Sequence, residues 1–118
     1  MSRLSTHVLD TYHGQPAAGM TYALYKLPTP TSQGRSAEPY LAASGVTDAD
    51  GRALLGENLE PGVYELVFLV GEYFAKRGVA TPDPPFLDTV PVRFGMTGGK
   101  YHVPLVCSPW SYSTYRGS

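Results

Sequence analysis

The chain has 118 residues and a formal net charge of −1, with 42% hydrophobic and 16% charged residues. That length suits one domain, residues 1–118, able to bury an apolar core without disulfides or metals, and the composition excludes a disordered, collagenous or coiled-coil chain. Nine Lys and Arg stand scattered against ten acids, leaving no electrostatic footprint for nucleic acid.

Thirteen Gly and eleven Pro fall between short β-like runs, the spacing of a sandwich or barrel and not of a helical or βαβ fold. Residues 4–11 predict a first strand, with Leu4, Thr6 and Val8 on one face and Ser5, His7 and Leu9 on the other. His13-Gly14-Gln15-Pro16 reads as a turn, with His13 solvated. Residues 19–27 predict a second strand carrying Met20, Tyr22 and Leu24. Residues 28–39 hold three prolines and almost nothing apolar, which predicts an exposed loop of no fixed structure. A third strand follows over 40–47, then the turn Asp48-Ala49-Asp50-Gly51 and a short fourth strand over 52–55. Pro61-Gly62 turns the chain into a β-prone fifth strand, 63–70.

Residues 72–77, bracketed by Gly71 and Gly78, form the one segment with helical character. A sixth strand, 89–94, contains Pro91 and so belongs at an edge or a bulge. Gly98-Gly99 leads into a seventh, 100–108, and a polar, aromatic last strand occupies 112–118. The expected fold class is all-β: a two-sheet sandwich of about seven to eight strands with one short helix.

The N-terminal Met1-Ser2-Arg3-Leu4 carries no apolar signal core, and no apolar run approaches the roughly 20 residues that span a bilayer. The C-terminus is not a Ser-Lys-Leu peroxisomal address. A soluble intracellular protein is expected, cytoplasmic or peroxisomal. The lone Cys107 cannot form an internal bridge and reads as a small buried hydrophobe.

Two histidines, His7 and His102, lie inside predicted strands. If Leu4, Val8, Val103 and Leu105 face the core, both imidazoles point away from it. Alone, such residues are surface histidines satisfied by hydrogen bonds; paired in one cleft, they suit acid–base chemistry near neutral pH. No cysteine or third histidine stands at metal-ligand spacing, so no metal is expected. Arg52 follows a turn, where arginines are usually solvated, but its planar fork suits a flat rim of carbonyl oxygens and ring nitrogens. The terminal Ser113-Thr114-Tyr115-Arg116-Gly117-Ser118 is β-prone to the end, unlike the usual frayed terminus.

Three blocks together resemble the 5-hydroxyisourate hydrolase family, the transthyretin-related proteins. They are Leu4-Ser5-Thr6-His7-Val8-Leu9-Asp10, then Gly45-Val46-Thr47-Asp48-Ala49-Asp50-Gly51-Arg52, then Lys100-Tyr101-His102-Val103-Pro104-Leu105 with Ser108-Pro109 and the closing Tyr115-Arg116-Gly117-Ser118. The closing tetrapeptide is the feature that separates the hydrolases from transthyretin, the hormone carrier of the same fold. The chain departs from the family in a longer loop at 28–39, in Lys100 where many members have histidine, and in Phe86-Leu87-Asp88-Thr89, which replaces a more Phe- and Pro-rich version.

The resemblance implies a transthyretin-like (prealbumin-like) sandwich assembled as a homotetramer, with active sites at the dimer–dimer interface. It also implies cofactor-free hydrolysis of 5-hydroxyisourate to 2-oxo-4-hydroxy-4-carboxy-5-ureidoimidazoline in urate degradation. Matched by position, His7, Arg52 and His102 are catalytic. His7, Arg52, Tyr115, Arg116, Gly117 and Ser118 hold substrate. The histidines jointly draw a proton from water, Arg52 steadies the carbonyl oxygen or anchors the ring, Tyr115 hydrogen-bonds the ring or an imidazole, and Arg116 pairs with a carboxylate. The alternative is a transthyretin-like carrier of a small aromatic ligand, without chemistry.

Overall fold

The structure, a computed structural model, describes residues 1–28, 30–31, 34–35 and 38–117. Its first strands are β1 (Ser2–Asp10), β2 (Gln15–Pro16), β3 (Thr21–Lys26), β4 (Pro30–Thr31), β5 (Gly34–Arg35) and β6 (Tyr40–Val46). β7 (Arg52–Leu59) and β8 (Gly62–Phe68) precede the helix α1 (Val70–Lys76). β9 (Val90–Met96), β10 (Gly99–His102), β11 (Leu105–Cys107) and β12 (Tyr112–Thr114) complete the chain.

Two sheets face each other. In one, β1 is central: β7 and β2 pair along one edge, β10 and β11 along the other, and β12 lies beyond β11. The second runs β6-β3-β8-β9. The core between them follows the expected alternation. Leu4 and Val8 of β1, Leu24 of β3, Leu66 and Phe68 of β8, and Leu105 of β11 have no exposed surface. Each such side chain contributes about 1.5–3 kcal/mol by leaving water. Thr6 shares that inward face, and its hydroxyl is satisfied by donating to the Val103 carbonyl at 2.7 Å. Pro91 lies on the edge strand β9, where its missing N–H breaks no ladder.

Four expectations need correction. The segment 28–39 is not featureless: Pro30 pairs with Arg35 and Thr31 with Gly34. Gln15 and Pro16, read as turn, pair with Asp10 and Leu9. The strand expected over 100–108 is two strands, because Pro104 has no N–H to continue the ladder once Val103 has donated to the Ser5 carbonyl. The strand expected over 112–118 ends at Thr114, and among the described residues beyond it only Gly117 rejoins a sheet, by an isolated antiparallel bridge to His102.

The helix begins two residues earlier than expected and is held by a stripe of Val70, Tyr73 and Phe74 on the core. Its exposed side carries the Glu72–Lys76 pair, 2.7 Å apart. No helix among the described residues is long and apolar enough to cross a membrane.

Candidate active site

Arg52 owes its place to the turn before it. Asp48 Oδ1 accepts the backbone N–H groups of Asp50 and Arg52, both at 2.9 Å, an Asx-type turn. Gly51 closes it at φ +75°, packed so tightly that a Cβ there would lie 2.5 Å from the Val8 carbonyl oxygen. Only glycine satisfies both demands. Arg52 therefore opens β7 directly opposite His7 of β1.

On the other edge of β1 the register of the parallel ladder sets Ser5 opposite His102. Residues opposite one another share a face, as do residues two apart along a strand. Ser5, His7, Arg52 and His102 consequently stand on the outer, core-averse face of three neighbouring strands, β7, β1 and β10. At about 4.8 Å per strand spacing the outer two strands are ~10 Å apart, the width of a small bicyclic ring with its substituents.

A cavity of about 280 Å³ opens there, lined by Arg3, Ser5, Arg52, Lys100, Tyr101 and His102. Three of those six are permanent or near-permanent cations and none is a carboxylate, so the site favours an oxygen-rich ligand. His102 is half-buried, and its imidazole pKa is held below the ordinary 6.5, first by desolvation and then by repulsion from the neighbouring His7 and Arg52. At neutral pH it is an uncharged base. Its Nδ1 lies 2.9 Å from Ser5 Oγ. Among the described residues, no three His, Cys, Asp or Glu side chains converge to hold a metal ion.

The tail reaches this site through its backbone. Gly117 donates its N–H to the His102 carbonyl at 2.7 Å, and a Cβ at Gly117 would lie 2.8 Å from His102 Cδ2. Thr114 Oγ1 anchors the approach by donating to the Pro104 carbonyl at 2.7 Å. Tyr115 and Arg116 turn instead into a separate apolar cleft of about 240 Å³ shared with Val92 and Phe94. The expected carboxylate partner of Arg116 is replaced by an aromatic one: its guanidinium lies 4.1 Å from the centroid of the Tyr101 ring. Ser118 lies outside the described residues.

Residues 4–117 match the model of the HIUase/Transthyretin family. The chain belongs to that family. It is similar over its whole length to the 5-hydroxyisourate hydrolase of Pseudomonas aeruginosa, at 49% identity and covering 93% of that protein. Among solved structures, the Klebsiella pneumoniae 5-hydroxyisourate hydrolase superposes with a TM-score of 0.81 at 33% identity, with both chains fully covered. An (S)-allantoin synthase gives a TM-score of 0.84 at 44% identity over 99% of this chain, which spans 44% of that longer one.

Besides the residues matched to the family, sequence reasoning missed Ser5 and Arg3, although both share the face of His7 at two-residue spacing. It also misplaced His13. That imidazole is not simply solvated: its Nδ1 lies 2.5 Å from Oδ2 of Asp10, which also accepts the Tyr73 hydroxyl at 2.8 Å. The His13 backbone N–H donates to Asp10 Oδ1 at 2.9 Å. Burial would raise the Asp10 carboxyl pKa, but these hydrogen bonds from His13 and Tyr73 outweigh it and lower it. The signal was present, since Asp10 occupies an inward position of the strand after Leu4, Thr6 and Val8, where a carboxylate requires partners. Cys107 is 1% exposed and burial pushes its thiol up to about 12, which fits its reading as a buried hydrophobe.

Proposed function

We propose that this chain is a 5-hydroxyisourate hydrolase of urate degradation, acting through His7, Arg52 and His102. The observation that carries this reading is their convergence on one sheet face, with Gly117 of the tail packed against His102. The family's fold serves both hydrolases and carriers, so the fold alone does not decide; the residues on this face favour the hydrolase. A carrier needs no neutral imidazole in a cationic cavity.

In this mechanism His102 Nε2 takes a proton from water as the oxygen attacks the ring carbonyl. Negative charge grows on the carbonyl oxygen, where the Arg52 fork meets it. The imidazolium then returns its proton to the departing ring nitrogen as the C–N bond breaks, leaving a carboxylate and a free nitrogen. His7, opposite Arg52, orients the ring and the water. No cofactor enters the cycle. Gly117 closes the site at His102. Tyr115 and Arg116, which line a separate cleft of their own chain, and Ser118 reach substrate across the subunit boundary of the assembly, with residues 1–118 acting as a single domain.

We further propose that the working form is a homotetramer whose dimer–dimer interface covers this face. Leu9 and Leu54, outward neighbours of the site residues, are 37% and 46% exposed in the single chain, and apolar groups there gain by burial against another subunit. Freshly generated 5-hydroxyisourate, followed by its ultraviolet absorbance, tests the activity: decay accelerated in proportion to protein is expected, and decay at the spontaneous rate refutes the hydrolase. Light scattering tests the assembly, for which a monomer in solution is the contrary result.

A further inference from the structure

The clamp on His102 assigns a task to Ser5, a residue that the proposed mechanism leaves idle. The imidazole of His102 is gripped along two edges, by β1 and by the tail. On one, Ser5 Oγ meets Nδ1 at 2.9 Å. On the other, Gly117 lies so close that a Cβ would sit 2.8 Å from Cδ2 and 3.3 Å from Cγ. Nε2 is left without a hydrogen-bond partner among the described residues.

We propose that Ser5 is a positioning residue for His102: its hydroxyl oxygen accepts the Nδ1–H, selecting the tautomer whose Nε2 lone pair faces the reacting water. A free neutral imidazole carries its proton on either nitrogen, and the hydrogen bond at one nitrogen decides the state of the other. With Nδ1–H given to Ser5, Nε2 is an acceptor and takes the proton from water. As it does so, positive charge spreads over the ring to Nδ1–H, and the bond to Ser5 strengthens where charge develops.

A hydroxyl suits this task better than a carboxylate. It orients the ring without a negative charge, so it does not hold the imidazole in its protonated form. Repulsion from His7 and Arg52 works in the same direction. The inference rests on His102 acting as the base of the proposed hydrolase, and its test is built to fail separately from that reading.

Ser5→Ala and Ser5→Thr are compared with the unaltered protein in two measurements. Nitrogen-15 NMR of histidine-labelled protein above pH 7 reads the tautomer of His102 without any substrate. The unaltered protein and Ser5→Thr should show Nδ1 protonated and Nε2 bare, and Ser5→Ala should shift toward the opposite tautomer. In hydrolysis, Ser5→Ala should lose about 10- to 100-fold in kcat, the usual effect of removing a residue that orients a reacting one, with KM nearly unchanged. Ser5→Thr should retain most of the rate. An unchanged His102 tautomer in Ser5→Ala overturns the proposal, as does a kcat equal to that of the unaltered protein. If the unaltered protein fails to hydrolyse 5-hydroxyisourate, the spectra still show whether Ser5 sets the tautomer.

Discussion

Two histidines of this chain, His102 and His13, each have Nδ1 within hydrogen-bond reach of a side-chain oxygen, and the two pairs work in opposite ways. His102 meets the neutral hydroxyl of Ser5 on the outer face of a sheet, among cations. His13 meets the carboxylate of Asp10, whose side chain has no exposed surface, and stacks near Phe74 with ring centroids 6.3 Å apart. The carboxylate pair joins the end of β1, the turn after it and, through Tyr73, the helix. It is a structural tie. The hydroxyl pair leaves its imidazole uncharged and one nitrogen without a hydrogen-bond partner among the described residues, which is what a proton acceptor requires. The oxygen that faces Nδ1, and not the presence of a histidine, separates a joint of the fold from a group able to do chemistry.

Substitutions at the two places should separate in kind as well as size. The largest effect is expected from His102→Asn, which keeps the size and polarity but removes the base: hydrolysis should fall by about 10²–10⁴ while circular dichroism and thermal midpoint hold. Near-normal hydrolysis would remove His102 from the mechanism. Next comes Arg52→Gln, expected to cost on the order of 10²–10³ in kcat. It should also move the pH profile. Since burial, then His7 and Arg52, hold the His102 pKa below 6.5, the acid limb of kcat/KM should lie below pH 6.5. Taking away the Arg52 charge lets the proton bind more tightly, so the limb should rise toward 6.5. A limb that stays in place would mean that another group titrates.

At the other histidine the expected losses are of stability. His13→Ala strips the Asp10 carboxylate of one hydrogen bond in a buried setting and should cost about 1–3 kcal/mol in urea denaturation, with kcat unchanged. The smallest and most specific effect is a slope. The folded-state pKa of Asp10 is depressed below 3.8, because hydrogen bonds from His13 and Tyr73 override desolvation. Its contribution to stability is thus complete above that value and lost as pH falls through the folded-state pKa. Asp10→Asn should flatten the fall of the urea midpoint as pH is lowered below 3.8. An equally steep fall in Asp10→Asn would assign the acid sensitivity to other carboxylates.

Much of the fold was legible in the sequence because alternation reports a physical constraint that is local. Leu4, Thr6 and Val8 had to face one way and Ser5 and His7 the other, whichever strands came to lie beside them. The same logic placed Pro91 on an edge and Gly51 in a turn. The blocks around His7, Arg52 and His102 and the closing tetrapeptide pointed to the family. What alternation leaves open is which strand pairs with which, and in what register.

That was decided by tertiary structure alone. Ser5 and His102 stand 97 residues apart in sequence yet share a rung of one ladder, and Asp10 and Tyr73, 63 apart, share a hydrogen bond across the fold. Pairings of this length arise from the summed burial of two sheets and from the need to satisfy every buried polar group, and no short window of residues contains that sum. Residue type and spacing therefore told which side chains face solvent and which family the chain resembles. The packing of β1 between β7 and β10 set four of those outward side chains on one sheet face, and the packing of α1 made His13 part of the frame.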